Sequence, residues 1–362
     1  MNKRSFLSSF ALIASGISAA FGQLSEPEKN FEELWNTFHQ RYAFFDLKGV
    51  DWKAQYEIYR PKVTKDTSDA ELFKIMCEML GPLKDGHINL KAKSLNKKAF
   101  NPEETPRFFK EFDSRKLEKQ YGELIKKTLR AKGFGEQAEA TDLLAYSRSK
   151  DFGYLLITEF EGVKAKKLKA GLDKALGSMN GIKGLIVDIR LNPGGTDQCV
   201  YQIMSRFVDK KRVGHHRKTK QGPGEDDFSE VKTRHMLPAT KAGPNGTFTG
   251  PIALLTHDAS FSGADVFAML MADLPHVTII GEPTNGIFSN MLERKLPNGW
   301  KYTLSHQVYY SADMICYEGK GIPVDIEVKN MRSDLQNGVD PLIHKALEVL
   351  VGQSSGHGVR LK

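Results

Sequence analysis

Residues 251–274 read PIALLTHDASFSGADVFAMLMADL. The first part, 251–255, is an apolar run of strand length. The second, 264–274, places Val266, Phe267, Leu270 and Met271 at helical spacing. Ser262 stands at the junction. A strand that turns into a helix at a serine can present the hydroxyl away from the packed layers. The unpaired N–H groups and positive dipole end of the helix then lie beside it. That surrounding suits a nucleophile whose reaction builds an anion. A simple helix cap supplied by Ser260 or Ser262 accounts for the same residues.

The pattern continues outward from this stretch. Strand-like 154–158 (YLLIT) precedes an amphipathic 163–179, and strand-like 184–189 (GLIVDI) leads through the turn RLNPGG at 190–195 into a helix over 196–208. Polar strands and a Gly/Pro-rich loop (QGPGEDD) fill 209–249. A strand at 277–280, short strands over 300–329 and a closing helix at 340–351 complete the series. Strands alternating with helices predict an α/β core over about 150–335.

Upstream, 26–45 carries Phe31, Leu34, Trp35 and Phe38 on one helical face, and 51–59 reads as a second helix ended by Pro61. Ser68 with Glu71 forms a capping box for a third, whose stripe is Leu72, Ile75, Met76 and Met79. His87, in Asp85-Gly86-His87, lies where a turn enters a short alternating strand. The expected organisation is a leader at 1–22, a helical unit at 23–93, a charged connecting region at 94–150 outside the core, the core at 151–351 and a flexible tail at 352–362. Within the connecting region, 116–132 is helix-prone and 143–147 is strand-like.

Lys3 and Arg4 precede the apolar stretch 6–21, and Ala20-Phe21-Gly22 supplies small residues where a signal peptidase cuts. This reads as a secretory signal peptide, so the expected location is periplasmic or secreted, with membrane attachment only through an uncleaved leader. The chain has 362 residues, 40% of them hydrophobic, and a net charge of +8. The surplus is spread along the sequence, without the basic stripe and interleaved aromatics of a nucleic-acid binder. Cys77, Cys199 and Cys316 are far apart, and no Cys/His spacing suggests a metal. No cofactor is expected.

A serine nucleophile needs a base, a group to orient the base, and donors for the oxyanion. His87, at a turn, is the best-placed of the ten histidines. His257 sits at a strand end, and His215, His216, His276 and His306 lie in polar or surface-like contexts. Gly194 and Gly195, after an apolar strand, let backbone N–H groups approach a ligand closely. Gly263 supplies a further N–H. Glu318, flanked by a glycine-rich turn (YEGKG), can orient an imidazole.

These pieces together resemble the tail-specific, or C-terminal processing, serine peptidases, nearest their tricorn-core and retinoid-binding-module branch. The matching segments are LGPLKDGHINL at 80–90, VDIRLNPGG at 187–195, DASFSGADVFA at 258–268, GEPTNG at 281–286 and YEGKGIPVDIEV at 317–328. The resemblance implies an α/β fold with a crotonase/ClpP-like β-α spiral core. It makes Ser262 the nucleophile and Gly263 with the Gly194-Gly195 pair the oxyanion donors. One branch uses a lysine just after the GEPTxG motif; here that place holds Ile287, with Lys295 and Lys301 offset from it. The other uses a histidine near the start and a glutamate near the end, which correspond to His87 and Glu318. Three departures stand out: Gly86 replaces a serine before the histidine, 94–150 is too short and helical for a PDZ insert, and Gly-Ile-Pro-Val-Asp displaces a proline. The resemblance implies an exported serine endopeptidase acting on peptides or unfolded proteins. A non-catalytic ligand- or peptide-binding module, or an esterase using the same trio, are the alternatives.

Overall fold

The structure, a computed structural model, describes residues 24–96, 98–239 and 247–354. The expected signal peptide at 1–22 and the end of the expected tail lie outside these residues. The chain forms two compact units. One comprises the described part of Met1–Glu104 with Thr219–Ser229 and Asn290–Gln307. The other comprises Thr105–Lys218, Glu230–Ser289 and the described part of Val308–Lys362.

In the first unit, helices Glu26–Arg41, Trp52–Tyr59 and Asp69–Leu80 stand where the periodicity puts them. Ser25 with Glu28 and Ser68 with Glu71 form capping boxes, so both long helices start on reciprocal side-chain bonds to orphan N–H groups. Phe31, Leu34, Phe38, Leu72, Met76 and Met79 are buried. Trp35 and Trp52 each donate the indole N–H to the other's carbonyl at 3.1 Å. A three-stranded antiparallel sheet completes the unit, in the order Asn89–Lys91, Lys301–Ser305, Met291–Lys295.

The second unit is built on a seven-stranded sheet. Its order is Ile326–Glu327, Val277–Gly281, Ile252–Thr256, Gly184–Asp188, Phe152–Ile157, Leu144–Arg148, Ala138–Thr141. The first five strands run parallel, and the last two join through antiparallel pairings. Every residue of Gly184–Asp188, Ile252–Thr256 and Val277–Gly281 is buried, as expected for parallel strands covered on both faces. One face packs against Ala165–Ser178, Asp197–Met204 and Gly263–Ala272, whose buried residues share one apolar cluster with the strands. The other packs against Pro341–Ser354 through Leu342, Ile343, Ala346 and Leu350. This is a mixed α/β fold with a mostly parallel central sheet.

The charged region 94–150 differs from its reading as a connector outside the core. Its last two strands belong to the main sheet, and Phe108, Phe112, Tyr121 and Leu124 bury together with Ala259. Its helix Arg115–Ala131 has a strongly charged outer face, which masks the buried side in a composition reading.

A buried ion network ties the sheet to the far-face helix. Asp188 ends its strand, and Arg190 binds it at 2.6 Å and Asp340 at 2.7 Å, all three with side chains at most 1% exposed. Tyr154 and Tyr121 donate into or accept from this cluster, and Asp340 Oδ1 also caps Pro341–Ser354 through Leu342 N–H. The sequence VDIR thus continues a strand and delivers the guanidinium that anchors the closing helix.

Candidate active site

Parallel strands Gly184–Asp188 and Ile252–Thr256 are neighbours, so the loops leaving their carboxyl ends emerge side by side. The first loop carries Gly194 and Gly195, the second Ser262. Ser262 has φ +54° and ψ −111°, a strained conformation for a residue with a Cβ, at the entry to helix Gly263–Ala272. Its hydroxyl makes no capping hydrogen bond. Ser260 does not cap the helix either: its Oγ donates to the Ile189 carbonyl at 2.9 Å and accepts from His257 N–H at 3.3 Å. The plain-cap reading therefore fails for both serines.

The two loops meet backbone to backbone. A methyl group built on Gly194, whose φ is +95°, would lie 2.6 Å from Gly263 N and 2.7 Å from Ser262 Cβ. One built on Gly263 would lie 2.9 Å from Gly195 N. Only glycine permits this approach. Asn192 sets the first loop. Its amide donates to the Ile157 carbonyl at 2.9 Å, its Oδ1 accepts the Gly194 N–H at 2.8 Å, and its carbonyl accepts the Phe261 N–H at 3.0 Å. Gly194 thus differs from its expected role as a donor, because its N–H is already committed to Asn192. Its contribution is shape, and Gly195, whose backbone lies against Gly263, is left as the donor candidate of that pair.

Beneath the serine turn lies Asp265, a fully buried carboxylate that the sequence reading did not single out. It accepts from Gly286 N–H at 2.7 Å and Ile287 N–H at 3.2 Å, and the Thr284 hydroxyl and the Ser262 backbone also hydrogen-bond to it. Burial pushes its carboxyl up to about 7, against the opposing pull of these donors. The signal available in sequence was a lone acid in an otherwise apolar helix, ADVFAMLMA.

Asp265 thereby joins the serine helix to the loop GEPTNG. That loop in turn zips to the turn carrying Glu318: Gly319 N–H donates to the Gly286 carbonyl at 2.7 Å and Ile322 N–H to Thr284 Oγ1 at 2.8 Å. Glu318 is 2% exposed, and its Oε2 accepts the Phe288 N–H at 2.8 Å. Ile287, at the place of the alternative lysine base, is buried. Lys295 and Lys301 lie on paired strands of the first unit, with Lys301 bound to Glu293 at 2.9 Å.

His87 belongs to the first unit. Asp85, 1% exposed, organises its turn by accepting His87 N–H at 2.8 Å and the Tyr42 hydroxyl at 3.0 Å. The His87 carbonyl accepts from Thr303 Oγ1 at 2.7 Å. Asp85 and Tyr42 are positioning groups that pattern reading missed. The structure brings Ser262, Gly263, Gly194 and Gly195 into one cluster and sets Glu318 two hydrogen-bonded loops away in the same unit.

Two histidines are excluded as bases. His257 is fully buried and stacks on Phe108 with ring centroids 4.5 Å apart, and burial holds its imidazole well below the usual range. His215, read as surface-like, is fully buried and sits 2.8 Å from the Tyr201 hydroxyl, with burial lowering it to about 3.

Residues 151–328 match Peptidase family S41, and residues 24–81 match the Tricorn protease C1 domain. Residues 151–328 of the chain belong to peptidase family S41. It is 27% identical over 186 residues to the carboxy-terminal processing protease CtpA of Bacillus subtilis, covering 51% of this chain and 37% of that protein. It is 26% identical over 171 residues to the tricorn protease of Thermoplasma acidophilum, covering 47% of this chain and 14% of that one. The chain thus spans well under half the length of these curated relatives. A crystallised protein of Parabacteroides merdae superposes with a TM-score of 0.75 at 28% identity, over 90% of this chain and 97% of its own. The S41 match spans Ser262, both loop glycines and Glu318, while His87 lies outside both matched segments.

Two outcomes follow from this geometry. Gly194→Ala should lower folding stability by about 1–3 kcal/mol, because its methyl meets backbone that cannot yield. Gly177→Ala, with nothing within 4 Å, should be neutral or stabilising; equal urea midpoints for the two variants would contradict the packing. Asp265 titrates higher folded than unfolded, so the folded state holds more protons between about pH 4 and about pH 7. Wild-type stability should decline across that window, and Asp265→Asn should remove this contribution. An identical pH slope in both proteins would show that the carboxyl is not raised.

Proposed function

We propose that the protein is an exported serine endopeptidase that cleaves peptide bonds through an acyl-enzyme on Ser262, with His87 as base and Glu318 orienting it. The observation that carries this reading is the strained Ser262 turn pressed against the Gly194-Gly195 backbone, with Gly263 N–H at a helix start. Such a turn gains nothing for folding, and a serine held there next to backbone N–H groups supports the reading of a nucleophile with its oxyanion donors. The match to peptidase family S41, and the processing activity named for the Bacillus relative, support the same class.

His87 takes the proton from Ser262 Oγ as the oxygen attacks the peptide carbonyl carbon. The resulting oxyanion is held by the N–H groups of Gly263 and Gly195. The imidazolium then gives its proton to the departing amine, leaving the acyl-serine ester. Water, deprotonated by His87, attacks that ester, and the proton returns to Ser262. Glu318 accepts the second ring N–H and stabilises the imidazolium, a role that suits a buried carboxylate anchored by Phe288 N–H. Ile287, at the lysine place, leaves the histidine as the base in this scheme. The substrate is a peptide or an unfolded protein. Export rests on the charged and apolar start of the sequence, which fits periplasmic or secreted placement. Among the described residues, no helix is long and apolar enough to cross a membrane.

Ser262→Ala should abolish cleavage of a quenched-fluorescence peptide library and labelling by a fluorophosphonate probe, with the circular dichroism spectrum unchanged. Glu318→Gln and His87→Ala should each lower kcat by roughly 10² to 10⁴-fold. Cleavage retained by Ser262→Ala, or full activity without His87, would overturn the assignment. Hydrolysis of small esters without any peptide cleavage would move the protein to the esterases.

A further inference from the structure

Helix Arg115–Ala131 carries a second feature that the proposed chemistry does not use. A groove of about 830 Å³ runs along it, lined by Arg115, Lys116, Lys119, Lys127 and Arg130, with Glu123 as the only acid. Glu123 is neutralised by Lys126 at 2.9 Å, and Arg130 pairs with Glu136 at 3.2 Å. Arg115, Lys116, Lys119 and Lys127 have no ion-pair partner among the described residues. Three of these cations occupy the first turns of the helix, where the dipole opposes positive charge. The groove's inner side is apolar, formed by Leu124 and Leu335, and Gly338 closes its edge against Lys127.

The apolar lining of the groove leads to the nucleophile turn. Tyr121 and Leu124 pack with Ala259, and Phe261 and Leu335 lie against that cluster. Ala259 and Phe261 lie three residues and one residue before Ser262. The groove therefore shares Leu124 and Leu335 with the cluster that packs against the segment just before Ser262.

We infer that this groove is an exosite for an acidic, extended polypeptide segment, held beside the cleavage site. Unmatched positive charge with an apolar inner side suits a chain that alternates acidic and apolar side chains. From Lys116 to Arg130 the helix rises about 21 Å, which an extended segment covers in roughly six residues. The cations form a stripe along one helix, which suits an extended chain better than a lipid surface. Tethering a substrate there raises its effective concentration at Ser262. The kinetic consequence rests on the peptidase reading; the binding itself does not.

The test uses the full chain carrying Ser262→Ala and a fluorescein-labelled decapeptide of alternating Glu and Ala, followed by anisotropy. Binding should be saturable and weaken with salt. The triple variant Lys116→Glu, Lys119→Glu, Lys127→Glu should lose about tenfold or more in affinity. The triple Lys→Gln variant serves if the first fails to fold. With active enzyme, an acidic flank on a cleaved peptide should lower KM at unchanged kcat, and the triple variant should erase that difference while sparing the unflanked peptide. No binding, binding unaffected by the triple variant, or binding only to phosphatidylglycerol vesicles would overturn the exosite. If the decapeptide binds as described but no peptide is ever cleaved, the catalytic reading fails and this one stands.

Discussion

The second unit depends on one close approach: the backbone of Gly194 lies against Ser262 and Gly263 with no room for a single added carbon. Two chain reversals touch there because they leave adjacent parallel strands at the same end of the sheet. The contact also explains the conformation of Ser262. A loop passing this close leaves the serine turn little freedom, so a φ of +54° persists where an unconstrained chain would relax. Strain and donor placement are consequences of the same packing.

The contact must be held from several sides. Above it, Asn192 fastens the glycine loop to the neighbouring strand and to Phe261. Below it, Asp265 binds the helix start to the GEPTNG loop, which carries the constraint on to the turn of Glu318. At the strand end, Arg190 with Asp188 and Asp340 anchors the sheet to the closing helix. Burying one guanidinium with two carboxylates is costly unless each polar atom is satisfied, and the tyrosines and the helix N–H groups do much of that. These groups hold the contact in place.

Much of this was legible in the sequence, for physical reasons that differ by residue. Fully buried parallel strands announce themselves as continuous apolar runs, so GLIVDI and PIALL were plain. Capping boxes at Ser68 and paired glycines at 194–195 are local, and local chemistry can be read directly. What escaped was non-local. Ala138–Thr141 and Leu144–Arg148 join the sheet through antiparallel pairing with Phe152–Ile157, yet their charged surroundings concealed them. Asn192, Asp265, Asp85 and Tyr42 matter through partners supplied by distant or turn-specific geometry. His215 looked polar by its neighbours and is buried by its fold. Which of two adjacent glycine N–H groups is spare depends on one asparagine rotamer, which no pattern encodes.

The most direct measurement is a crystal structure of the protein inactivated with a peptidyl phosphonate. The account predicts phosphorus bonded to Ser262 Oγ and a phosphoryl oxygen within about 2.7–3.1 Å of the Gly195 and Gly263 nitrogens. It also predicts the His87 ring within hydrogen-bond reach of that serine oxygen, and Glu318 on the opposite ring nitrogen. An adduct on another residue, or a phosphoryl oxygen turned away from both glycines, would contradict it.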